Sequence, residues 1–303
     1  MSLKEGFVNI APDFIVKFCA GPYVAGDSEE AAIQVANHLW QSRRVCSTID
    51  NLGEELTTRE EVEETIASYF RVLDGLKEQN YATISLKPTQ LGSHESFDYC
   101  YESMSKVIEK AAEYKNFVTI DMEDRNYTDL TLSLYKKLRK KYENVGTVLQ
   151  SRLFRTEKDI EELDGFQAHI RLCIGIYLEP PEIAYQDKKE MKKKLLVLLE
   201  KLVEKGHFVA IGTHDEALIY RCLELLQKKK IPPQQYEFQM LMGVPRQKIQ
   251  DKLIKEGHIM RFYVPYANDW KYAVAYCKRR LVANPAMGIY VAGNWFKKLL
   301  GKK

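Results

Sequence analysis

Long hydrophobic runs are missing from this chain. No window of its 303 residues approaches the ~18 uninterrupted apolar residues of a spanning helix. The opening Met-Ser-Leu-Lys-Glu-Gly holds no apolar signal core. Stable residence inside a membrane is therefore not expected. Cysteine is sparse and scattered. The six, Cys19, Cys46, Cys100, Cys173, Cys222 and Cys277, never fall at CxxC spacing. That excludes a small disulfide-stapled scaffold and predicts reduced thiols, packed as small core residues in a cytosolic protein. Charge of one sign is also lacking. Lys plus Arg is 45 and Asp plus Glu is 42, a net +3 too balanced to imply nucleic-acid binding. No HExxH metal motif and no GxGxxG turn occur, and low-complexity segments are absent.

What is present is 45% apolar and 29% charged residues, the profile of a globular protein and not of a disordered or collagen-like chain. A chain this long buries about three quarters of its unfolded surface, so its core needs no metal or disulfide staple. The region up to residue 43 reads as helical. Asp27 and Ser28 are positioned to cap a helix with Glu29 and Glu30 in its first turn. Ala32, Val35, Ala36, Leu39 and Trp40 then share one face.

Beyond that arm the rhythm changes. Short apolar or β-branched runs recur at 45–49, 82–86, 117–120, 147–149, 169–173, 208–211, 236–241 and 260–264. Amphipathic helical stretches lie between them, which predicts parallel strands joined by crossover helices. The runs read as nearly continuously apolar, as strands buried on both faces do. Eight such units in about 240 residues is the size of a (β/α)8 TIM barrel. The rival, an open doubly wound sheet, is disfavoured by the missing GxGxxG turn. The predicted organisation is a helical arm over 1–43, a barrel over 44–290 and a basic tail over 291–303.

In such a barrel, function sits at the C-terminal ends of the strands. The runs end in or carry Asp50, Lys87, Asp121, Gln150 with Arg152, Arg171, Thr213-His214-Asp215, Glu237 with Gln239, and Arg261 with Tyr263. A single interior charge often just pairs with a neighbour. A ring of charges must pair internally or with a ligand, because isolated buried charges are costly. The mixture of Lys, Arg and His with acids suits an extended anionic ligand better than a metal. After the last run, Tyr276, Arg279 and Arg280 share a helix face, and the adjacent arginines offer forked donors for a carboxylate. A surface pair on an amphipathic helix explains those residues equally well, but their place directly after the last run favours a helix that closes over the mouth.

These motifs, in this order, resemble the proline dehydrogenase family. The resemblance rests on Ile84-Ser85-Leu86-Lys87, Asp121-Met122-Glu123, Gln150, and Arg171-Leu172 with Gly175 and Tyr177. It continues through Thr213-His214-Asp215, Glu237-Phe238-Gln239-Met240-Leu241 with Gly243, Tyr263-Val264-Pro265-Tyr266, and Tyr276 with Arg279-Arg280-Leu281. Tyr23-Val24-Ala25-Gly26 and the stretch from Asp50 to Glu54 match the family's N-terminal segment, so nearly the whole chain is covered. The resemblance implies a distorted (β/α)8 barrel with its final helix over the mouth and FAD bound non-covalently. It implies a flavin-dependent oxidoreductase that converts L-proline to Δ1-pyrroline-5-carboxylate. A membrane quinone is then the electron acceptor, and a downstream pyrroline-5-carboxylate dehydrogenase is a candidate partner.

By the same resemblance, Arg279, Arg280 and Lys87 hold the proline carboxylate. Tyr263, Tyr276, Tyr177 and Leu241 pack around its ring. Asp121 stands beside Lys87, and Arg171 lies near the flavin N5 edge, so these two are the candidate catalytic residues. Met122, Gln150, Ile174, Gly175, Ile176, Thr213, His214 and Gln239 complete the flavin contacts, with no metal. The chain departs from the family's usual Arg-Leu-Val-Lys-Gly-Ala-Tyr at Arg171-Leu172-Cys173-Ile174-Gly175-Ile176-Tyr177, where Ile174 removes a charge near the flavin. It also has Ala283 where a glutamate is usual. A hydroxyproline dehydrogenase, a flavin-binding homologue without turnover, and a Schiff-base aldolase built on Lys87 are the competing readings. The basic, aromatic stretch from Trp295 to Lys303 suits contact with an anionic membrane surface, which would place a cytoplasmic protein at the inner face of the membrane. A solvated, frayed helix end is the plainer explanation of it.

Overall fold

Ser28 and the two glutamates after it start the first helix of the chain. A computed structural model describes residues 21–53, 56–77, 79–163 and 165–283. The arm before Gly21, residues 284–290 and the tail at 291–303 lie outside the described residues, as do the side chains of Arg279, Leu281, Val282 and Ala283. Helix α1 (Glu29–Arg43) has Ser28 as its N-cap, accepting from the Ala31 N–H at 3.3 Å. It ends at Arg44, whose φ of 56° is left-handed. Strand β1 (Cys46–Asn51) follows, then α2 (Arg59–Leu76), started by a Thr58–Glu61 capping box.

The units then repeat: β2 (Ala82–Leu86), α3 (Phe97–Glu113), β3 (Val118–Ile120), α4 (Thr128–Arg139), β4 (Val145–Gln150) and α5 (Thr156–Glu161). They continue with β5 (His169–Cys173), α6 (Lys188–Glu204), β6 (Phe208–Gly212), α7 (Glu216–Lys228), β7 (Tyr236–Leu241), α8 (Gln247–Lys255) and β8 (Met260–Tyr266). All eight strands are parallel, and β8 pairs back onto β1, closing the barrel with Ile49 opposite Val264. The chain is thus a closed (β/α)8 barrel.

The strands are apolar on one face only. Ile49, Ile84, Leu86, Ile120, Leu149, Leu172, Ile211 and Val264 join the core with Val62, Tyr69, Leu73, Val107 and Leu199 of the helices. The residues that alternate with them carry the serines, threonines and charges, because successive strand side chains face opposite ways. The polar ring is therefore the inner wall of the barrel.

The eighth unit is irregular. Helix α9 (Trp270–Ala283) follows β8, yet α1 packs against both β1 and β8, the flank where an eighth crossover helix belongs. Ala273, Tyr276 and Cys277 of α9 instead cluster with Val24, Leu52 and Ala267, which follow the C-terminal ends of β1 and β8 or lie beside them. The last helix thus lies over the mouth. A strap at Tyr23–Gly26 runs along the same rim, with the Ala25 N–H donating to the Pro265 carbonyl at 2.8 Å. Gly243 is forced there: its φ is +79°, and a Cβ would stand 2.2 Å from the Pro22 carbonyl oxygen.

The described cysteines, Cys46, Cys100, Cys173, Cys222 and Cys277, are free thiols. Burial pushes Cys100 and Cys222 up to about 12, so both are inert packing groups. No helix among the described residues is long and apolar enough to cross a membrane.

Candidate active site

Closing the barrel stacks the inward residues into two storeys. The lower one, toward the strand N-termini, surrounds a cavity of about 50 Å³ lined by Thr48, Thr83, Thr119, His169, Glu237 and Arg261, among others. Arg261 Nε meets Glu237 Oε1 at 2.8 Å, and its Nη1 donates to the Ser47 carbonyl at 2.7 Å. Gln239 lines the same cavity, and its amide donates to Glu237 at 2.5 Å. These polar strand residues pair with one another inside the barrel.

The upper storey, at the strand C-termini, is built on Asp121, which is only 8% exposed. It accepts from Arg171 Nη1 at 2.5 Å, from Ser85 Oγ at 2.7 Å and from the Tyr263 hydroxyl at 2.5 Å. Lys87 Nζ lies 3.6 Å away, but its shorter contact is with Asp50 Oδ1. Five strand ends thus meet: Asp50 from β1, Ser85 and Lys87 from β2, Asp121 from β3, Arg171 from β5 and Tyr263 from β8. The Arg171 guanidinium also sits 5.1 Å from the centre of the Tyr263 ring.

The two acids are held differently. Burial alone would raise Asp121. The charges of Arg171 and Lys87, with hydrogen bonds from Tyr263 and Ser85, outweigh it and hold the carboxyl below its usual range. Asp50 is more deeply buried, and Lys87 is its one cation among the described residues. Burial wins there, aided by the nearby charge of Asp121, and raises it to about 6. At neutral pH Asp121 is firmly ionised and Asp50 is the weaker acid.

Over this floor α9 brings Arg280. Its guanidinium lies 4.9 Å above the Tyr276 ring, and its charge is felt by Tyr263 and Tyr177. No carboxylate among the described residues pairs with it. Tyr276 itself is buried. His214, after β6, accepts from the Leu241 N–H at its Nε2, 3.0 Å away. Burial, with Arg280 and Arg246 nearby, depresses its pKa to about 4, so the ring is neutral at physiological pH. Thr213 Oγ1 accepts from the Asp215 N–H, and the Asp215 carboxylate caps α7.

The β4–β5 side of the mouth has a different character. Gln150 is buried, its Nε2 donates to the Glu123 carbonyl at 3.1 Å, and its Oε1 has no donor. Gly175 presses against that oxygen: its φ is +103°, and a Cβ there would lie 2.1 Å from Gln150 Oε1. Ile174 and Ile176 flank it half-exposed, and Met122 lies buried in the core beside the mouth. A backbone bared by glycine beside an orphan amide oxygen fits a planar ring with its own N–H, so these residues fit a flavin. Glu123 explains itself structurally, since its carboxylate accepts from Thr89 N–H and Oγ1 at 3.1 and 2.6 Å.

The structure therefore gathers Lys87, Asp121, Arg171, Tyr263, Tyr276, Tyr177 and Arg280 at one mouth, with Leu241 tied to His214 at its edge. Gln239 faces the lower storey. The inference about Arg279 concerns a side chain outside the described residues. Sequence reasoning counted Asp50 among the polar strand ends but assigned neither it nor Ser85 a part in the site. The available signal was position, since both lie on inward-facing strand positions directly opposite one another.

A closed parallel barrel whose strand ends converge on a charged, tyrosine-walled mouth defines a barrel enzyme. Comparison with known proteins gives its kind. The profile of the family described as proline dehydrogenase matches residues 32–289. Proline dehydrogenase 2 of Bacillus subtilis (strain 168) is 38% identical over 288 residues, 93% of this chain and 92% of its own. Proline dehydrogenase of Deinococcus radiodurans is 32% identical over 283 residues, 91% of this chain and 89% of its own. Among solved structures, proline utilization A from Bdellovibrio bacteriovorus, inactivated by N-propargylglycine, superposes with a TM-score of 0.80 at 22% identity. That match covers 87% of this chain and 32% of the other, so the chain spans about a third of that protein's length. The chain belongs to the proline dehydrogenase family. It is an oxidoreductase whose chemistry is proline oxidation, in a family that is flavin-dependent in general.

Proposed function

We propose that the chain converts L-proline to Δ1-pyrroline-5-carboxylate with non-covalently bound FAD, and that the electrons pass on to a membrane quinone. The observation that carries this reading is Arg280, a guanidinium held among phenols in the mouth with no carboxylate partner among the described residues. A substrate carboxylate is the group it lacks, and a fork-to-carboxylate pair fixes the substrate's plane. Lys87 adds a second cation from below, anchored by Asp50 and Asp121. Tyr263, Tyr276, Tyr177 and Leu241 then wall a space suited to a small ring and exclude water from it.

When bound, the flavin supplies the hydride acceptor. Gln150, Gly175, Thr213 and His214 would hold it. Arg171, locked by Asp121, would set a positive charge beside it and favour its reduced form. The ring carbon next to the nitrogen gives up hydride only when the amine is neutral, so the protein's share is orientation and charge placement. Asp121 is the positioning group for both Arg171 and Lys87.

The test is optical. Purified protein is expected to be yellow, and anaerobic L-proline is expected to bleach its flavin band. A flavin that stays oxidised in excess proline overturns the reading. Arg280→Met is expected to raise the proline concentration for half-bleaching by roughly 10- to 100-fold while flavin stays bound, the loss appropriate to one charge-assisted pair.

A further inference from the structure

One cation at the mouth has no use in the scheme above. Arg152 follows β4 by two residues. Its backbone is pinned on both sides: its N–H donates to the Ile174 carbonyl at 3.1 Å, and its carbonyl accepts from the Tyr185 N–H at 2.8 Å. The side chain is therefore aimed by the barrel and not by chance. Its Nε and Nη1 are shut off from solvent and have no hydrogen-bond partner. Its Nη2 reaches only the Met191 sulfur, at 3.9 Å, a weak acceptor. The carboxylate whose charge it feels is Glu179. Glu179, however, accepts from the Arg125 N–H at 2.9 Å and faces the Arg125 guanidinium at 3.6 Å. Arg152 is only half-buried, but two of its three guanidinium nitrogens are shut off from solvent with no acceptor, which is costly and suits an anion that is not protein.

The place of Arg152 says which anion. Its Cδ lies 3.3 Å from where a Cβ on Gly175 would stand, on the same surface as the orphan oxygen of Gln150. The substrate cations, Lys87 and Arg280, come from β2 and α9, whereas Arg152 faces the β4–β5 side that fits the flavin. The segment from Cys173 to Ile176 brings no charge to that side. We propose that Arg152 is a phosphate ligand of the flavin dinucleotide, closing its guanidinium fork on a phosphate while the ring rests at Gln150 and Gly175. A planar fork of donors matches phosphate oxygens in two parallel bonds. This rests on the flavin reading given above.

The experiment uses the full chain stripped of flavin, as wild type, Arg152→Met and Arg152→Lys, titrated calorimetrically with FAD and with riboflavin, which has no phosphate. Arg152→Met is expected to raise the FAD dissociation constant about 10- to 100-fold and leave that of riboflavin within about 3-fold, with Arg152→Lys between. The wild-type preference for FAD over riboflavin is also expected to weaken with salt, and that salt dependence to shrink in Arg152→Met. An unchanged FAD constant in Arg152→Met overturns the proposal. Equal weakening of FAD and riboflavin also overturns it, because it would mean that the arginine only shapes the ring pocket. Wild-type protein that takes up neither flavin overturns the cofactor reading itself, a result distinct from the other two.

Discussion

Two aspartates share one lysine at the centre of this site, and they are not equivalent. Asp121 has four donors around it, so removing its charge strands Arg171 in the barrel without a counter-ion. Asp50 has Lys87 and the Tyr263 hydroxyl, and its burial already works against its charge. Asp121→Asn is therefore expected to lower unfolding stability at pH 7 by about 3–5 kcal/mol, the cost of an uncompensated buried charge. Asp50→Asn is expected to lower it by only about 1 kcal/mol, because the lost pair is offset by relief of desolvation. Urea unfolding of both variants checks the order, and equal losses would contradict it. Single residues were legible from the sequence as polar strand ends, but their partners were not. The order of the chain offers Asp121 to Lys87. The register of β1 on β2, with Asp50 opposite Ser85, also brings Asp50 to a lysine two residues farther on. Such proximity comes from the shear of a closed sheet, which no local pattern encodes.

The elements were far more legible than their ends. Eight apolar runs mark the eight strands because outward side chains must meet helices, whatever the barrel encloses. Their limits shift by a residue or two: β8 runs on to Tyr266 and β4 starts at Val145, because hydrogen bonds to neighbouring strands decide where a strand stops. The reading of the strands as nearly continuously apolar holds for the outer face, while the inner face carries the polar residues, as the ring of strand-end charges already hinted. The apolar face of α1 is plain in the sequence, but what it covers is not. It packs on β1 and β8 only because α9 leaves that flank for the mouth. The segment after β5 carries a prediction of its own. Gly175 holds a φ of +103° against the Gln150 amide, so Gly175→Ala must both strain the backbone and displace that side chain. It is expected to lower stability by about 1–3 kcal/mol and to reduce the flavin retained on purification. The melting temperature and the ratio of flavin to protein absorbance measure the two effects. A variant with full flavin content would show that the close approach has no part in holding the ring.

At the scale of the whole molecule, these buried groups set how the fold responds to acid. His169 sits between a tilted Phe117 ring and a stacked Phe208 ring, with ring centres 4.4 and 4.2 Å away. Burial depresses its pKa to about 4. Glu237 opposes that shift, while Arg261 and Arg171 reinforce it. His214 is depressed to about 4 as well. In the unfolded chain both histidines return to about 6.5. Between those values the unfolded state binds more protons, so stability is full above pH 6.5 and drains away as pH falls toward 4. Asp50 acts in the opposite sense. Its folded value of about 6 exceeds its unfolded value near 3.9, so the cost of its charge is relieved over nearly the same window. Two histidines against one aspartate leave a net loss. The melting temperature is therefore expected to fall steadily from pH 6.5 to 4.5. His169→Phe keeps a ring between Phe117 and Phe208 but removes one titration; with Asp50 still opposing the remaining histidine, most of the fall should disappear. Asp50→Asn removes the opposing group, so the fall should become steeper. Melting curves across that pH range decide the matter. A His169→Phe slope equal to wild type would mean that this ring is already protonated in the fold, and a flat wild-type curve would mean the same of both histidines.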